Sequence, residues 1–162
     1  MAGFWWPILA LLGGLGCAGG WMALRYLHHL WWMRRLRRAC RQFHLQRERL
    51  EARFIKLAQG RAQPGAPRWA DCRFEDGVTY ARNRLTGEIS AFVGVSIELE
   101  PPSQFAPIDR EELLRSGTAV FRYDGRQWDT DGRLIYDLSP QEAIYFYKSD
   151  LKPLVREVAR RG

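Results

Sequence analysis

Hydrophobic and polar positions divide this chain into three stretches with different periods. From Phe4 to Leu24 the residues are uncharged and mostly apolar, with no polar face, as in a helix surrounded by apolar material on all sides. At about 1.5 Å per residue the run is roughly 31 Å long, matching a hydrocarbon core of about 30 Å, and it predicts one membrane span. From Leu36 onward, Leu36, Cys40, Phe43, Leu50, Phe54 and Leu57 recur at alternating spacings of four and three, with Arg47 filling the one charged step. That a/d rhythm predicts a helix continuing the span, either as a short coiled coil holding a homodimer or as an amphipathic helix on the inner leaflet. In a dimer seam Arg47 needs to snorkel or to pair with Glu48 or Glu51. Gly60 and Pro64-Gly65-Ala66-Pro67 end the helix and make a linker.

Beyond Arg68 the period changes to two. Ile89, Ala91, Val93, Val95, Ile97 and Leu99 alternate with Ser90, Ser96, Glu98 and Glu100, which predicts a strand over Ile89–Glu100 with one apolar face; Phe92 and Gly94 sit on its other side. Asp76-Gly77, Thr86-Gly87, Asp124-Gly125 and Asp131-Gly132 read as hairpin turns. They bound further strands near Trp69–Glu75, Val78–Arg84, Thr118–Asp124, Gln127–Thr130 and Arg133–Asp137. Pro101-Pro102 stops the long strand, and Ser103–Gly117 reads as a connection with one helical turn in Asp109–Arg115. Ser139-Pro140-Gln141-Glu142 is a capping box with proline at N1 and predicts a helix from Pro140 to about Ser149. After Pro153, Leu154, Val155 and Val158 read as a second helical segment covering the sheet.

The expected fold is therefore α+β: an N-terminal transmembrane helix continuing into a basic amphipathic or coiled-coil helix, then an antiparallel β-meander with a C-terminal helix. The expected division is 1–33 anchor, 34–59 juxtamembrane helix, 60–67 linker and 68–162 soluble domain. Charge sharpens this picture. The net +7 lies wholly before Arg61, where 10 Lys and Arg face 2 Asp and Glu; the rest of the chain carries −1. Arg25, Arg34, Arg35, Arg37, Arg38 and Arg41 follow the apolar run and no basic residue precedes it. The positive-inside rule then predicts a single-pass inner-membrane protein with its N-terminus outside and its C-terminal domain in the cytoplasm. Trp5 and Trp6 before the core, and Trp31 and Trp32 after it, read as two aromatic interface belts. Gly16 and Gly20 lie one helical turn apart, as do Ala10, Gly14 and Ala18, and allow close helix–helix approach in a homodimer.

Candidate chemistry is sparse. His28, His29 and His44 all lie in the anchor region, so the domain has no histidine for acid–base work. Cys17, Cys40 and Cys72 are far apart with no CxxC pair, and Cys72 reads as a small core residue. Asp124, Asp129, Asp131 and Asp137 cluster in sequence. However, a calcium loop through Asp129-Thr130-Asp131-Gly132 would need ligands where Gln127 and Leu138 stand. No catalytic residue, metal ligand or cofactor is implied. The basic charge adjoins the span rather than a folded binding face, so the partner it implies is an anionic lipid surface, not nucleic acid. Trp128-Asp129-Thr130-Asp131-Gly132-Arg133, Leu138-Ser139-Pro140-Gln141-Glu142-Ala143-Ile144 and Thr86-Gly87-Glu88-Ile89 resemble segments of small, single-span bacterial membrane proteins with a C-terminal α+β domain. That resemblance implies a bacterial inner membrane and no particular activity. The function expected is a membrane-anchored, non-enzymatic interaction or scaffold module with an unidentified protein partner. An enzyme using the domain's carboxylates, or a nucleic-acid tether through the basic helix, are the alternatives.

Overall fold

The structure, a computed structural model, describes residues 5–61, 67–101 and 113–157, with 5–19 described by backbone alone. The architecture is α+β. A long helix α1 (Trp5–Gly60) precedes strands β1 (Trp69–Asn83), β2 (Ile89–Leu99), β3 (Leu114–Tyr123), β4 (Trp128–Asp129) and β5 (Leu134–Tyr136). A short helix α2 (Pro140–Phe146) and strand β6 (Leu151–Glu157) complete it. The chain divides into two compact units, Met1–Cys40 and Arg41–Gly162. In the first, Phe4 lies outside the described residues, as do the side chains of Trp5, Trp6, Ala10, Gly14, Gly16, Cys17 and Ala18. Among the described residues no helix is long and apolar enough to cross a membrane.

The second unit is an antiparallel sheet in the order β4-β3-β2-β1-β6, with β5 also paired to β3. Its centre is the alternating strand. Ile89, Ala91, Val93, Val95 and Ile97 of β2 are all buried, and Leu99 is half-buried at the strand's end. The register joins Tyr80, Ala91 and Phe121 in one row across β1, β2 and β3. Against this row lies the C-terminal part of α1. The Phe43 ring meets those of Tyr80, Phe121 and Trp128 edge-on at centroid distances of 6.0, 5.4 and 5.0 Å, and Phe54 meets Phe74 and Phe121, both at 5.8 Å. Phe43, Leu50 and Phe54 are buried within one chain and Leu57 is half-buried. The stripe read as a coiled-coil seam is thus spent on the sheet from Phe43 onward, and residues 41–60 belong with the strands rather than to a separate juxtamembrane element. An a/d rhythm reports only that one helix face is apolar; a sheet covers it as well as a second helix does. Leu36 and Cys40, in the first unit, are also buried.

The charged step in the stripe has a specific partner. Arg47 Nε donates to Glu51 at 2.6 Å, and its two terminal nitrogens donate to the carbonyls of Asp76, at 2.9 Å, and Glu75. Those carbonyls belong to a bulge. Phe74 pairs with Val95 and Val78 with Val93, so β1 carries two extra residues there. Asp76-Gly77, expected as a hairpin turn, therefore interrupts a single strand without ending it: an even insertion leaves Phe74 and Val78 facing the same way. The turns at Thr86-Gly87 and Asp124-Gly125 form as expected. Both glycines have positive φ, and Asn83 and Asp124 accept the turn amides through their side chains.

Further expectations fail: β4 and β5 both pair with β3 and not with each other, so Asp131-Gly132 links them without forming a hairpin. Leu151–Glu157 is an edge strand pairing with β1, not a helix. Pro153 cannot donate to a ladder and is tolerated at the edge, next to a register shift opposite Tyr80 and Ala81. β3 starts at Leu114, so Leu114 and Arg115 are strand where a helical turn was expected; Leu113 is helical, and 109–112 lie outside the described residues. The capping box forms as read, with Ser139 N and Oγ donating to Glu142 Oε2 at 2.9 and 2.6 Å and Glu142 N donating to Ser139 Oγ. The helix ends at Phe146, earlier than Ser149.

Two substitutions test the helix-on-sheet arrangement. Arg47→Leu makes the apolar stripe uniform but strips the bulge carbonyls of their donors, so it should destabilise by about 1–3 kcal/mol in chemical denaturation; a stability gain would mean that the stripe serves as a dimer seam. Gly132 has φ +71, and a Cβ there would lie 2.7 Å from Ala58 N and Leu57 Cβ. Gly132→Ala should therefore cost about 1–3 kcal/mol, read in the same experiment.

Candidate binding site beside the short helix

The face of the sheet turned away from α1 carries the other parity of the strands: Thr79 and Ala81 of β1, Ser90 and Phe92 of β2, and Thr118 and Val120 of β3. Helix α2 covers part of it. Ala143 and Ile144 pack with Ala81, Phe92 and Val120 in one buried cluster, which explains why Phe92 sits on the nominally polar side of an alternating strand. Seven residues cannot cover the whole face. Beside α2 remains a groove of about 350 Å³ with Phe92, Val120 and Leu151 on its floor, at the small end of ligand-pocket sizes.

Charge is distributed unevenly around this groove. Arg122 on β3 and Arg133 before β5 line one end; Asp150, just before β6, lies across β2 and β1 from them, and Glu88 leads into β2 between the two. Asp131 lies 3.6 Å from Arg122 Nη2 and accepts the Arg133 backbone amide at 3.1 Å. The Arg133 guanidinium also stands 5.5 Å from the Tyr147 ring centroid, a cation–π contact, and donates to the Tyr147 hydroxyl at 3.4 Å. Between the charged ends lies Ser90, 7% exposed, whose hydroxyl takes part in no hydrogen bond among the described residues.

The aspartate cluster does not converge. Asp124 accepts the amides of Gln127 and Arg126, which hold its carboxyl below the usual range. Asp129 accepts from Thr130 N at 2.7 Å and pairs with Arg53 at 3.2 Å, tying the strand end to α1. Asp137 takes a positive φ of 57°, which aspartate tolerates. No group of three potential metal ligands occurs among the described residues. Cys72 is half-buried, and burial first, then the carboxylates of Asp71 and Glu51, push its thiol up to about 11. A protonated thiol is a poor nucleophile.

The residues assigned to the membrane interface lie on the first part of α1. Arg25 lies over the Trp21 ring at 4.8 Å from its centroid and Arg35 over Trp31 at 5.6 Å. Arg34, Arg37, Arg38 and Arg41 are exposed, Trp32 is half-buried, and Gly20 has open space around it. The groove residues Ser90, Arg122, Arg133 and Tyr147 were not singled out from sequence. Each sits at an unremarkable position in its own element, and only the strand order brings them together. The chain matches no protein-family model, no curated protein and no solved structure.

The state of Cys72 gives a direct test. A thiol raised from 9.0 to about 11 holds roughly 100-fold less thiolate at neutral pH than an unperturbed one. Its alkylation by iodoacetamide, followed by residue-resolved mass spectrometry, should be slower by about that factor. The rate should then climb about tenfold per pH unit toward pH 11 and return to the ordinary thiol rate in denaturant.

Proposed function

We infer that this chain is a single-span inner-membrane protein, N-terminus outside, whose α+β unit works in the cytoplasm as a non-enzymatic module for binding a protein partner. The observation that carries the anchoring is the surface of α1 after residue 20. Trp21, Met22, Leu24, Tyr26, Leu27 and Trp31 are all exposed, and their sequence positions go right round the helix. Such a sleeve has to be covered by something apolar. It directly continues the uncharged run from Phe4 and is followed by the arginine cluster, as expected of a span reaching an anionic inner leaflet. The stacking of Arg25 and Arg35 on tryptophans suits the headgroup zone, where both the charge and the ring find partners.

For partner binding the supporting feature is α2. Its inner residues Ala143 and Ile144 are buried, whereas Tyr145 and Phe146 are 70% and 71% exposed beside Leu138 and Lys148. Aromatic side chains are enriched at protein interfaces for their large area and few rotors. The small residues of the span, Gly16 and Gly20 among them, offer a homodimer contact, since Phe43, Leu50 and Phe54 are already covered within one chain.

Fractionation and topology reporters test this reading. The full chain should stay in the membrane pellet after alkaline carbonate extraction. A fluorescent protein fused after Gly162 should fluoresce while alkaline phosphatase at the same place stays inactive. Release into the supernatant would remove the anchor, and an active phosphatase would reverse the orientation. For the partner, a photo-crosslinking residue at Phe146 should give a discrete adduct in native membranes, while one at Leu85, 89% exposed on the β1–β2 turn, should not.

A further inference from the structure

We propose that the groove beside α2 binds a small zwitterion with an apolar body, of the size and chemistry of a free α-amino acid such as leucine. The proposal is independent of the membrane reading and concerns a different surface from Tyr145 and Phe146. The charges lining the groove cancel: two guanidinia, Arg122 and Arg133, against two carboxylates, Glu88 and Asp150. A simple anion would meet the carboxylates and a simple cation the arginines, so each would carry an opposing interaction. A molecule with a carboxylate and an ammonium on one carbon satisfies both sets. Its carboxylate goes to the arginine end, where a planar fork matches two oxygens, and its ammonium goes toward Glu88 and Asp150.

Three features mark a built site rather than a crease. The Arg122 guanidinium is paired with Asp131 and that of Arg133 rests on Tyr147, so less side-chain freedom is lost when a ligand arrives. The Ser90 hydroxyl lines the groove and makes no hydrogen bond with any described residue. A hydroxyl both donates and accepts, so it can meet either the carboxylate or the ammonium of a ligand. Phe92, Val120 and Leu151 supply an apolar floor, and about 350 Å³ accommodates a leucine-sized molecule. The same chemistry occurs in the headgroup of an ethanolamine phospholipid, and the test separates the two sources.

The experiment uses the full chain in a non-ionic detergent and equilibrium dialysis with radiolabelled L-leucine. Saturable binding is expected at micromolar to millimolar concentration. Competition by N-acetyl-L-leucine, which lacks the ammonium, and by leucinamide, which lacks the carboxylate, should each be weaker than that of unlabelled leucine by about tenfold or more. Arg122→Gln and Ser90→Ala should weaken binding, with Leu85→Ala as the surface control. Because the two analogues act on the unaltered protein, the test survives if a variant fails to fold. Glycerophosphoethanolamine competing better than leucine would support the zwitterion site and name the lipid headgroup as its source. No saturable binding of either compound, or equal competition by both blocked analogues, would overturn the proposal.

Discussion

The edge-on contact of Phe43 with Tyr80, Phe121 and Trp128 is the interaction on which the rest of the second unit depends. It gathers three strands under one ring, and truncation of such a buried phenylalanine costs about 3–5 kcal/mol. Once Phe43 and Phe54 are seated, polar contacts fix where the helix lies along the sheet. Gln42 reaches the Arg126 carbonyl at 2.9 Å, His44 meets Glu157 at 2.6 Å, and Arg53 meets Asp129. These ties touch the β3–β4 turn, the edge strand and β4, so one helix spans most of the sheet's width. Arg47 adds the bulge, and Gly132 lets the loop before β5 come against the helix backbone.

Covering one face this way determines what the other face can be. With α1 filling the side of Ile89, Ala91 and Val93, the opposite parity has only the seven residues of α2 to bury Phe92 and Val120. The uncovered remainder is the groove. Its Arg122 is paired with Asp131, in the loop whose Gly132 packs on α1, so the helix on one face and the groove on the other share a structural element.

What could be read from sequence was local. The alternation of β2, the turns at Thr86-Gly87 and Asp124-Gly125, and the Ser139 capping box involve residues within a few positions of each other, where propensity and hydrogen bonding act directly. Non-local features could not be read. The heptad-like stripe established that α1 has an apolar face without saying what covers it, and Asp76-Gly77 looked like a turn because nothing nearby reveals that Arg47 will hold its carbonyls. Leu154 and Val155 are strand and not helix because a short apolar pattern beside a proline fits an edge strand equally well, while Val158 lies outside the described residues. The groove was invisible for the same reason: Ser90, Arg122 and Arg133 meet only through the strand order.

The order of assembly on the ribosome follows from where α1 stands in the chain. Phe43 emerges before every strand it will touch, and its ring partners Phe121 and Trp128 come about 80 residues later. At roughly 5–20 residues per second, the apolar stripe waits about 4–16 s for its cover. During that interval Phe43, Leu50 and Phe54 lack the strands that bury them in the finished fold. A helix that is internal in the finished protein thus passes through a stage in which its apolar face has no cover, and only completion of the sheet supplies one.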